Sequence, residues 1–212
     1  MTRIYLVRHG ETDWNASQRC QGTADVALND TGLAQAQTLA HALRDIPFDA
    51  AYTSPLQRAR RTAESVLNGR FLHAVAVSEL SEMSYGDWQG RAPHEWPDGA
   101  SRQWTETPWS MAFPGGESLE QVRLRIGPGI DRIVHNHPGE TVLVSGHGHA
   151  NRVILIHATG RTPDAFWDID QPNGGAWLLE YSDERPGSVT VTQLPINRAA
   201  DVAVAPPVIQ TS

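Results

Sequence analysis

The sequence contains no lysine, and all 17 of its cationic residues are arginines. This absence excludes a Walker-type phosphate-binding loop, and it excludes pyridoxal phosphate and other Schiff-base chemistry, because each needs a lysine amine. A chain of this composition that binds anions has to bind them with guanidinium groups. Arginine suits phosphate, since its planar fork donates two parallel hydrogen bonds and keeps its charge.

Cysteine, basic clusters and long apolar runs are also scarce. The one cysteine, Cys20, has no partner for an internal disulfide, which is typical of the reducing cytoplasm, our predicted location. No apolar run approaches the roughly 20 residues that span a bilayer, and no secretory signal precedes the first strand-like run, so we expect no membrane partner. The net charge of −7, without a basic tail or stripe, argues against a nucleic acid partner.

Strand-like and helical stretches alternate along the 212 residues. This alternation predicts an α/β fold with a mainly parallel sheet. We expect a single domain at 1–198 and a loosely held, flexible tail at 199–212. The predicted strands lie at 3–7, 48–53, 73–77 and 141–145, with an antiparallel pair at 177–181 and 188–194. The predicted helices run from Asp30 or Thr31 to about 43, over 56–67, from about 118 to 135 and over 150–158.

Two of these strands end in histidines. The first strand is followed by Arg8-His9-Gly10, and the strand at 141–145 is followed by Gly146-His147-Gly148-His149. Ligands of parallel sheets lie beyond the carboxyl ends of the strands, so both histidines should face one edge. A neutral imidazole is a good nucleophile towards phosphorus, and an adjacent guanidinium holds the phosphate. As a bare tripeptide, Arg8-His9-Gly10 fits a structural turn better than a nucleophile.

A set of five ordered motifs resolves this ambiguity. They cover the chain from residue 4 to about residue 155, and together they resemble the histidine phosphatase superfamily, also called phosphoglycerate mutase-like. The motifs are LVRHGETDWN at 6–15, RCQG at 19–22 with GLAQA at 32–36, TSPLQRARRTA at 53–63, LSE at 80–82 with YGDWQG at 85–90, and VSGHG at 144–148.

The resemblance implies a three-layer α/β/α fold and a mechanism. His9 would attack phosphorus and become phosphorylated, and Arg8, Arg58 and His147 would surround the phosphate. Glu82 would protonate the leaving oxygen and later take a proton from water. No metal and no cofactor are implied. The predicted substrate-binding residues are Asn15, Gln21, Gly22, Gly148 and His149.

Several residues have a structural alternative. Arg58 lies beside Arg60 and Arg61, as on a solvated charged helix face. Glu117 fits a carboxylate in the first turn of a helix as well as a pocket-lining group. We predict a lid-like insertion at about 91–115, but core packing fits its tryptophans, Trp96, Trp104 and Trp109, equally well.

The histidines also permit a metal-site interpretation. His147 and His149 are spaced like a metal-binding pair, as are His135 and His137. The acidic ligand of the His-x-His-x-Asp-His pattern is missing, however, so we predict no metal site.

Two chemistries remain open for the phosphorylated histidine. The segment from Glu82 to His147 has no adjacent pair of arginines to hold a bisphosphoglycerate. We therefore predict hydrolysis of a small phosphorylated metabolite. The alternatives are a cofactor-dependent phosphoglycerate mutase and, less favoured, a non-catalytic module that binds phosphorylated ligands. The oligomeric state is open, with a homodimer as one option.

Overall fold

A seven-stranded sheet forms the centre of the protein, in the order β3-β2-β4-β1-β5-β6-β7. The computed structural model describes residues 1–184 and 187–196, and the backbone of 208–210. Neighbouring strands are parallel from β3 to β1 and antiparallel from β1 to β7. The strands are β1 (Thr2–Arg8), β2 (Ala50–Thr53), β3 (Val75–Ala76), β4 (Thr141–Gly146), β5 (Ala176–Tyr181), β6 (Val189–Leu194) and β7 (Val208–Gln210).

Helices cover both faces of this sheet. The described residues form six α-helices, which are α1 (Asp13–Ala16), α2 (Asp30–Ala42), α3 (Gln57–Leu67), α4 (Ala100–Glu106), α5 (Leu119–Asn136) and α6 (Gly148–Thr159). Alternate residues of β1 enter different cores, because successive side chains of a strand point to opposite faces. Tyr5 and Val7 pack with residues of α2 and α3, whereas Ile4 and Leu6 pack with residues of α5 and α6. The arrangement is the predicted three-layer α/β/α fold.

Most predicted elements are present. The sheet is parallel on one side, from the edge strand β3 to β1, and the antiparallel pair predicted at 177–181 and 188–194 corresponds to β5 and β6. The strand predicted at 73–77 shrinks to Val75–Ala76, whose side chains are exposed. Helices α1 and α4 and strand β7 were not predicted. The predicted tail at 199–212 lies outside the described residues except for 208–210, which pair with β6.

The segment at 91–115 joins the core through its aromatic residues. Trp96 and Trp104 are 7% and 8% exposed and belong to the same core as Ile4 and Leu6 of β1. Both pack around Phe113, with ring centroids 5.6 and 5.3 Å away. Core packing therefore accounts for these two tryptophans, and the lid-like insertion stays a prediction. Among the described helices, none has the length and apolar character needed to cross a bilayer.

Candidate active site

The two histidines meet because their strands are neighbours. Arg8 and Gly146 pair in the parallel register of β1 and β4, so the residues that follow them leave the sheet side by side. The His9 amide donates to the Gly146 carbonyl at 3.1 Å. The ring centroids of His9 and His147 are 5.1 Å apart, and both residues are buried. The strand-end rule thus places them at one edge of the sheet.

His9 is held in a form that can act as a nucleophile. Its Nδ1 lies 2.6 Å from the Gly10 carbonyl and its Nε2 lies 3.3 Å from Nε of Arg58. This pattern assigns the proton to Nδ1 and leaves the Nε2 lone pair facing the guanidinium. Burial and the charges of Arg58 and Arg8 hold the pKa of His9 well below its ordinary value. The imidazole is therefore neutral at physiological pH.

Arg58 is a buried residue of the site and not part of a solvated helix face. Its side chain extends from the first turn of α3 and donates to the carbonyls of Gly22 and Ala24, at 2.7 Å each. The residue is fully buried, whereas Arg60 is exposed. Burial lowers the pKa of Arg58 to about 10, so the group keeps its charge at neutral pH.

Gly22 adopts a left-handed backbone conformation at the edge of the pocket. Its φ is +55°, and a Cβ at this position would lie 2.4 Å from the side-chain oxygen of Gln89. Any other residue would displace this loop, and with it the carbonyl that accepts from Arg58. Gly22 thus holds Arg58 in place through its backbone.

Arg8 supplies a second cation, which is half-buried. Its guanidinium donates to the Gln171 carbonyl, and its Nε is buried without a hydrogen-bond partner among the described residues. Burial lowers its pKa to about 10, still well above physiological pH. Gly148 lies beside this side chain, and a Cβ there would be in ordinary van der Waals contact with Cζ and Nε of Arg8, 3.4 Å away.

His147 lies behind His9 with its ring wholly buried. Neither ring nitrogen has a hydrogen-bond partner in the described part of the chain. Burial, the charge of Arg58 and the neighbouring His9 ring hold the pKa of His147 well below its ordinary value. Buried polar groups almost always have a partner, so two free nitrogens beside His9 and Arg58 fit a ring that hydrogen-bonds a bound group.

Glu82 is buried opposite these cations and accepts three backbone hydrogen bonds. Its Oε1 accepts from Met83 at 2.9 Å and Ala150 at 3.0 Å, and its Oε2 accepts from His149 at 3.2 Å. Burial by itself raises the pKa of this carboxyl. The His149 ring, the backbone amides and Arg58 outweigh burial, so the net pKa lies below its ordinary value.

His149 forms the wall next to Glu82. Its Nδ1 accepts from the Tyr85 hydroxyl at 3.0 Å, and its ring stacks on Phe166 with centroids 5.6 Å apart. Burial lowers its pKa to about 4. His149 is therefore uncharged at neutral pH.

These groups surround a pocket of about 200 Å³. Asn15 lines it, and the Asn15 side-chain oxygen accepts from the Thr12 amide and caps α1. Gln21 also lines it, with a buried Oε1 that has no partner among the described residues. Every predicted site residue lines the pocket except His147, whose ring packs against the ring of His9. The lining residues are Arg8, His9, Trp14, Asn15, Gln18, Arg19, Cys20, Gln21, Gly22, Arg58, Glu82, Tyr85, Gly148, His149 and Arg152.

Arg152 is the main pocket residue that the sequence prediction missed. Its guanidinium donates to the Ile169 carbonyl at 2.9 Å and lies over the Phe166 and Trp167 rings, 5.6 and 5.3 Å from their centroids. The available signal was its spacing: four residues after Gly148, it falls on the same face of α6. Arg152 adds a further cation to the pocket wall, which also contains Arg8, Arg19 and Arg58.

Glu117 is not a pocket residue. Its carboxylate pairs with Arg125 through both oxygens, at 2.7 and 3.0 Å, and accepts from the Ser84 amide. Glu117 also lies outside the first turn of α5, because it precedes Ser118, the N-cap of that helix. Within 1–184 and 187–196, no group of three or more His, Cys, Asp or Glu residues is placed to share a metal ion.

The fold and the site define an α/β enzyme that hydrolyses phosphomonoesters. A sequence model of the histidine phosphatase superfamily (branch 1) matches residues 4–193, and the chain belongs to this superfamily. The family predicted from the five motifs is confirmed.

The similar proteins include both phosphatases and phosphoglycerate mutases. A metal-independent phosphoserine phosphatase of Arabidopsis thaliana is 36% identical over 199 residues, covering 86% of this chain and 82% of that protein. A 2,3-bisphosphoglycerate-dependent phosphoglycerate mutase of Cytophaga hutchinsonii is 33% identical over 208 residues, covering 92% and 95%. Among solved structures, YhfR of Bacillus stearothermophilus superposes with a TM-score of 0.82 at 31% identity, covering 86% of this chain and 93% of that one.

Proposed function

We propose that the protein hydrolyses the phosphomonoester of a small metabolite through a phosphohistidine on His9. The supporting observation is the pairing of a neutral His9 Nε2 with the Arg58 guanidinium, 3.3 Å away. A nucleophile and a phosphate-binding cation are thereby held within reach of the same phosphorus. The cations Arg8 and Arg58 supply the positive charge that a transferring phosphoryl group needs.

In the first step, His9 Nε2 attacks phosphorus and the bond between phosphorus and the ester oxygen breaks. The leaving oxygen takes a proton from Glu82, which lines the same pocket. Glu82 is ionised in the free site, so it acquires this proton when the phosphate dianion binds beside it. The added negative charge raises the proton affinity of the carboxyl.

In the second step, water attacks the phosphohistidine and the bond between nitrogen and phosphorus breaks. Glu82 is now ionised and accepts the proton of the attacking water. Arg8, Arg58 and His147 stay with the phosphoryl group through both steps, so their contribution is positioning and charge stabilisation. Inorganic phosphate leaves and His9 returns to its neutral form.

The arginines fill the electrostatic role that metal ions fill in many other phosphatases. We therefore propose that activity needs no metal, as the name of the Arabidopsis relative states for that protein. The pocket of about 200 Å³ suits a small substrate, and phosphoserine is the first compound to test. Cys20 as the lone cysteine supports a reducing compartment, for which we propose the cytoplasm.

The phosphoglycerate mutase of Cytophaga hutchinsonii supports a second candidate, because it aligns with nearly the whole chain. A mutase would return the phosphoryl group to a bound glycerate instead of to water. The two are separated by incubation with 3-phosphoglycerate and a trace of 2,3-bisphosphoglycerate. Release of inorganic phosphate supports hydrolysis, and conversion to 2-phosphoglycerate without phosphate release supports the mutase.

The covalent step is tested by quenching the enzyme with ³²P-labelled substrate. A phosphohistidine is stable in base and labile in acid, and it should appear in the wild type and be absent from His9→Ala. His135→Ala, which removes an exposed histidine of α5, serves as the matched control and should keep the label. Substantial turnover in His9→Ala would contradict the proposal, and an inactive wild type that still binds phosphate would favour the non-catalytic module.

A further inference from the structure

One half-buried arginine outside the pocket binds the chain segment that carries Glu82. Arg125, on α5, donates to the carbonyls of Glu79 at 2.7 Å, Ser81 at 2.9 Å and Glu82 at 3.1 Å. These three oxygens belong to what we call the Glu82 segment, residues 79–84. Apart from the end of a short 3-10 helix that stops at Leu80, this segment lies outside regular secondary structure. A single guanidinium therefore provides hydrogen bonds that no helix or strand provides.

Glu117 holds the other end of the same segment. Its carboxylate pairs with Arg125 through both oxygens and also accepts from the Ser84 amide at 2.9 Å. The Glu117 amide donates to the Ser84 carbonyl at 2.9 Å. Arg125 and Glu117 are each 23% exposed, so their pairing is less screened by water than a surface pair. The ion pair thus bridges the backbone on both sides of Glu82.

Helix α5 approaches the Glu82 segment closely enough for these contacts because of a glycine. A Cβ at Gly129 would lie 3.0 Å from Cβ of Glu79, which is tighter than ordinary packing. One turn further along α5, Arg132 pairs with the Glu79 carboxylate at 2.5 Å. The helix therefore contacts the segment at three successive turns.

We propose that Arg125, held by Glu117, is a positioning residue that fixes Glu82 for proton transfer, an inference that rests on the proposed function. The Glu82 carboxylate is held at the pocket by hydrogen bonds from the amides of Met83, His149 and Ala150. Only the first of these belongs to the segment itself. Loosening the segment would shift the carboxyl relative to α6, and a misplacement of about 1 Å costs proton transfer up to about 10²-fold.

The experiment compares two arginines of α5 that both pair with a glutamate through two hydrogen bonds. Arg123 pairs with Glu120 at 2.7 and 2.8 Å on the exposed face, and it makes no contact with the Glu82 segment among the described residues. Arg125→Ala should lower kcat for an alkyl phosphomonoester by about 10- to 100-fold, and kcat for nitrophenyl phosphate by less than about 3-fold. The control Arg123→Ala should leave both within about 2-fold.

The difference between the two substrates is what separates positioning from general damage. A nitrophenolate leaving group needs little protonation, so it does not report the placement of Glu82, whereas an alkoxide does. KM for both substrates should change little, because Arg125 does not line the pocket. Arg125→Lys and Glu117→Gln keep part of the hydrogen bonding to the Glu82 segment and should show the same pattern with smaller losses. If Arg125→Ala does not fold, these two variants are compared with Arg123→Ala in its place.

Amide hydrogen exchange supplies a readout that does not depend on turnover. Exchange in residues 79–84 should be faster in Arg125→Ala than in Arg123→Ala, with the rest of the protein unchanged. Equal losses on both substrates, no loss on either, or unchanged exchange in the Glu82 segment would each overturn the positioning role. A wild type without turnover or phosphohistidine would instead overturn the proposed function, and the exchange comparison would still decide whether Arg125 holds the segment.

Discussion

Replacing His149 with glutamine should make the protein less sensitive to acid. In the folded protein, burial lowers the pKa of His149 to about 4, whereas an unfolded chain binds this proton with a pKa of about 6.5. Between about pH 4 and pH 6.5, His149 binds a proton in the unfolded state but not in the folded state. The His149 contribution to stability is therefore present above about pH 6.5 and is lost as the pH falls towards 4.

The magnitude follows from the separation of the two pKa values. The difference between about 6.5 and about 4 corresponds to about 3 kcal/mol once both forms are titrated. Between pH 8 and pH 5, the His149 share of the loss in unfolding free energy is about 2 kcal/mol. The side chain is only 18% exposed, so water screens little of this effect. His9 and His147 have pKa values shifted in the same direction, and their contributions remain in the variant.

The assay is urea unfolding of wild type and His149→Gln at pH 8 and pH 5. The variant loses ring stacking on Phe166 at both pH values, so that cost cancels when the pH 8 value is subtracted from the pH 5 value. The remaining difference should show that the variant loses about 2 kcal/mol less than the wild type. His135→Gln, which removes an exposed histidine, controls for the loss of a histidine as such. An equal pH 8 to pH 5 loss in wild type and His149→Gln would refute the desolvated, uncharged state of His149.

Three further outcomes are expected from the proposed mechanism. Glu82→Gln should lower kcat for alkyl phosphomonoesters by about 10²–10⁴-fold and for nitrophenyl phosphate much less, and equal losses measured on both would exclude proton transfer. Arg58→Lys should lower kcat/KM by about 10²–10³-fold, because one ammonium cannot replace the fork that contacts Gly22, Ala24 and His9. The exposed Arg60→Lys serves as its control, and similar losses in both would contradict the role of Arg58. Exhaustive chelation should leave activity intact, and a loss that zinc or magnesium reverses would disprove the metal-free mechanism.

The parts of the site that lie at strand ends could be predicted from sequence. Position alone places His9 and His147 at one edge, because β1 and β4 are parallel neighbours and residues after paired strand ends emerge together. The ordered motifs added Arg58 and Glu82, which lie on elements far apart in the chain. The predicted fold and family are confirmed, and the roles of these four residues stay predictions.

The parts that depend on long-range packing could not be predicted. Arg152 is held in the pocket wall by the Ile169 carbonyl and by the rings of Phe166 and Trp167, and the spacing of these residues in sequence does not indicate those contacts. Arg125 resembles its neighbour Arg123 in sequence, since each has a glutamate to pair with. Only the tertiary structure shows that one of them also binds three carbonyls.

The charges of the free site explain how one carboxyl can serve as both acid and base. Without a phosphate, the pKa of Glu82 lies below its ordinary value and the carboxyl is ionised, whereas burial and the charges of the arginines keep His9 and His147 neutral. A bound phosphate dianion offsets the cations, so proton binding at Glu82 becomes more favourable as the nucleophile engages. Once the leaving group has departed, the carboxyl is again ionised and ready to accept a proton from water. The amides that lower its pKa therefore favour the hydrolytic half of the reaction, and substrate binding itself prepares the acid for the first half.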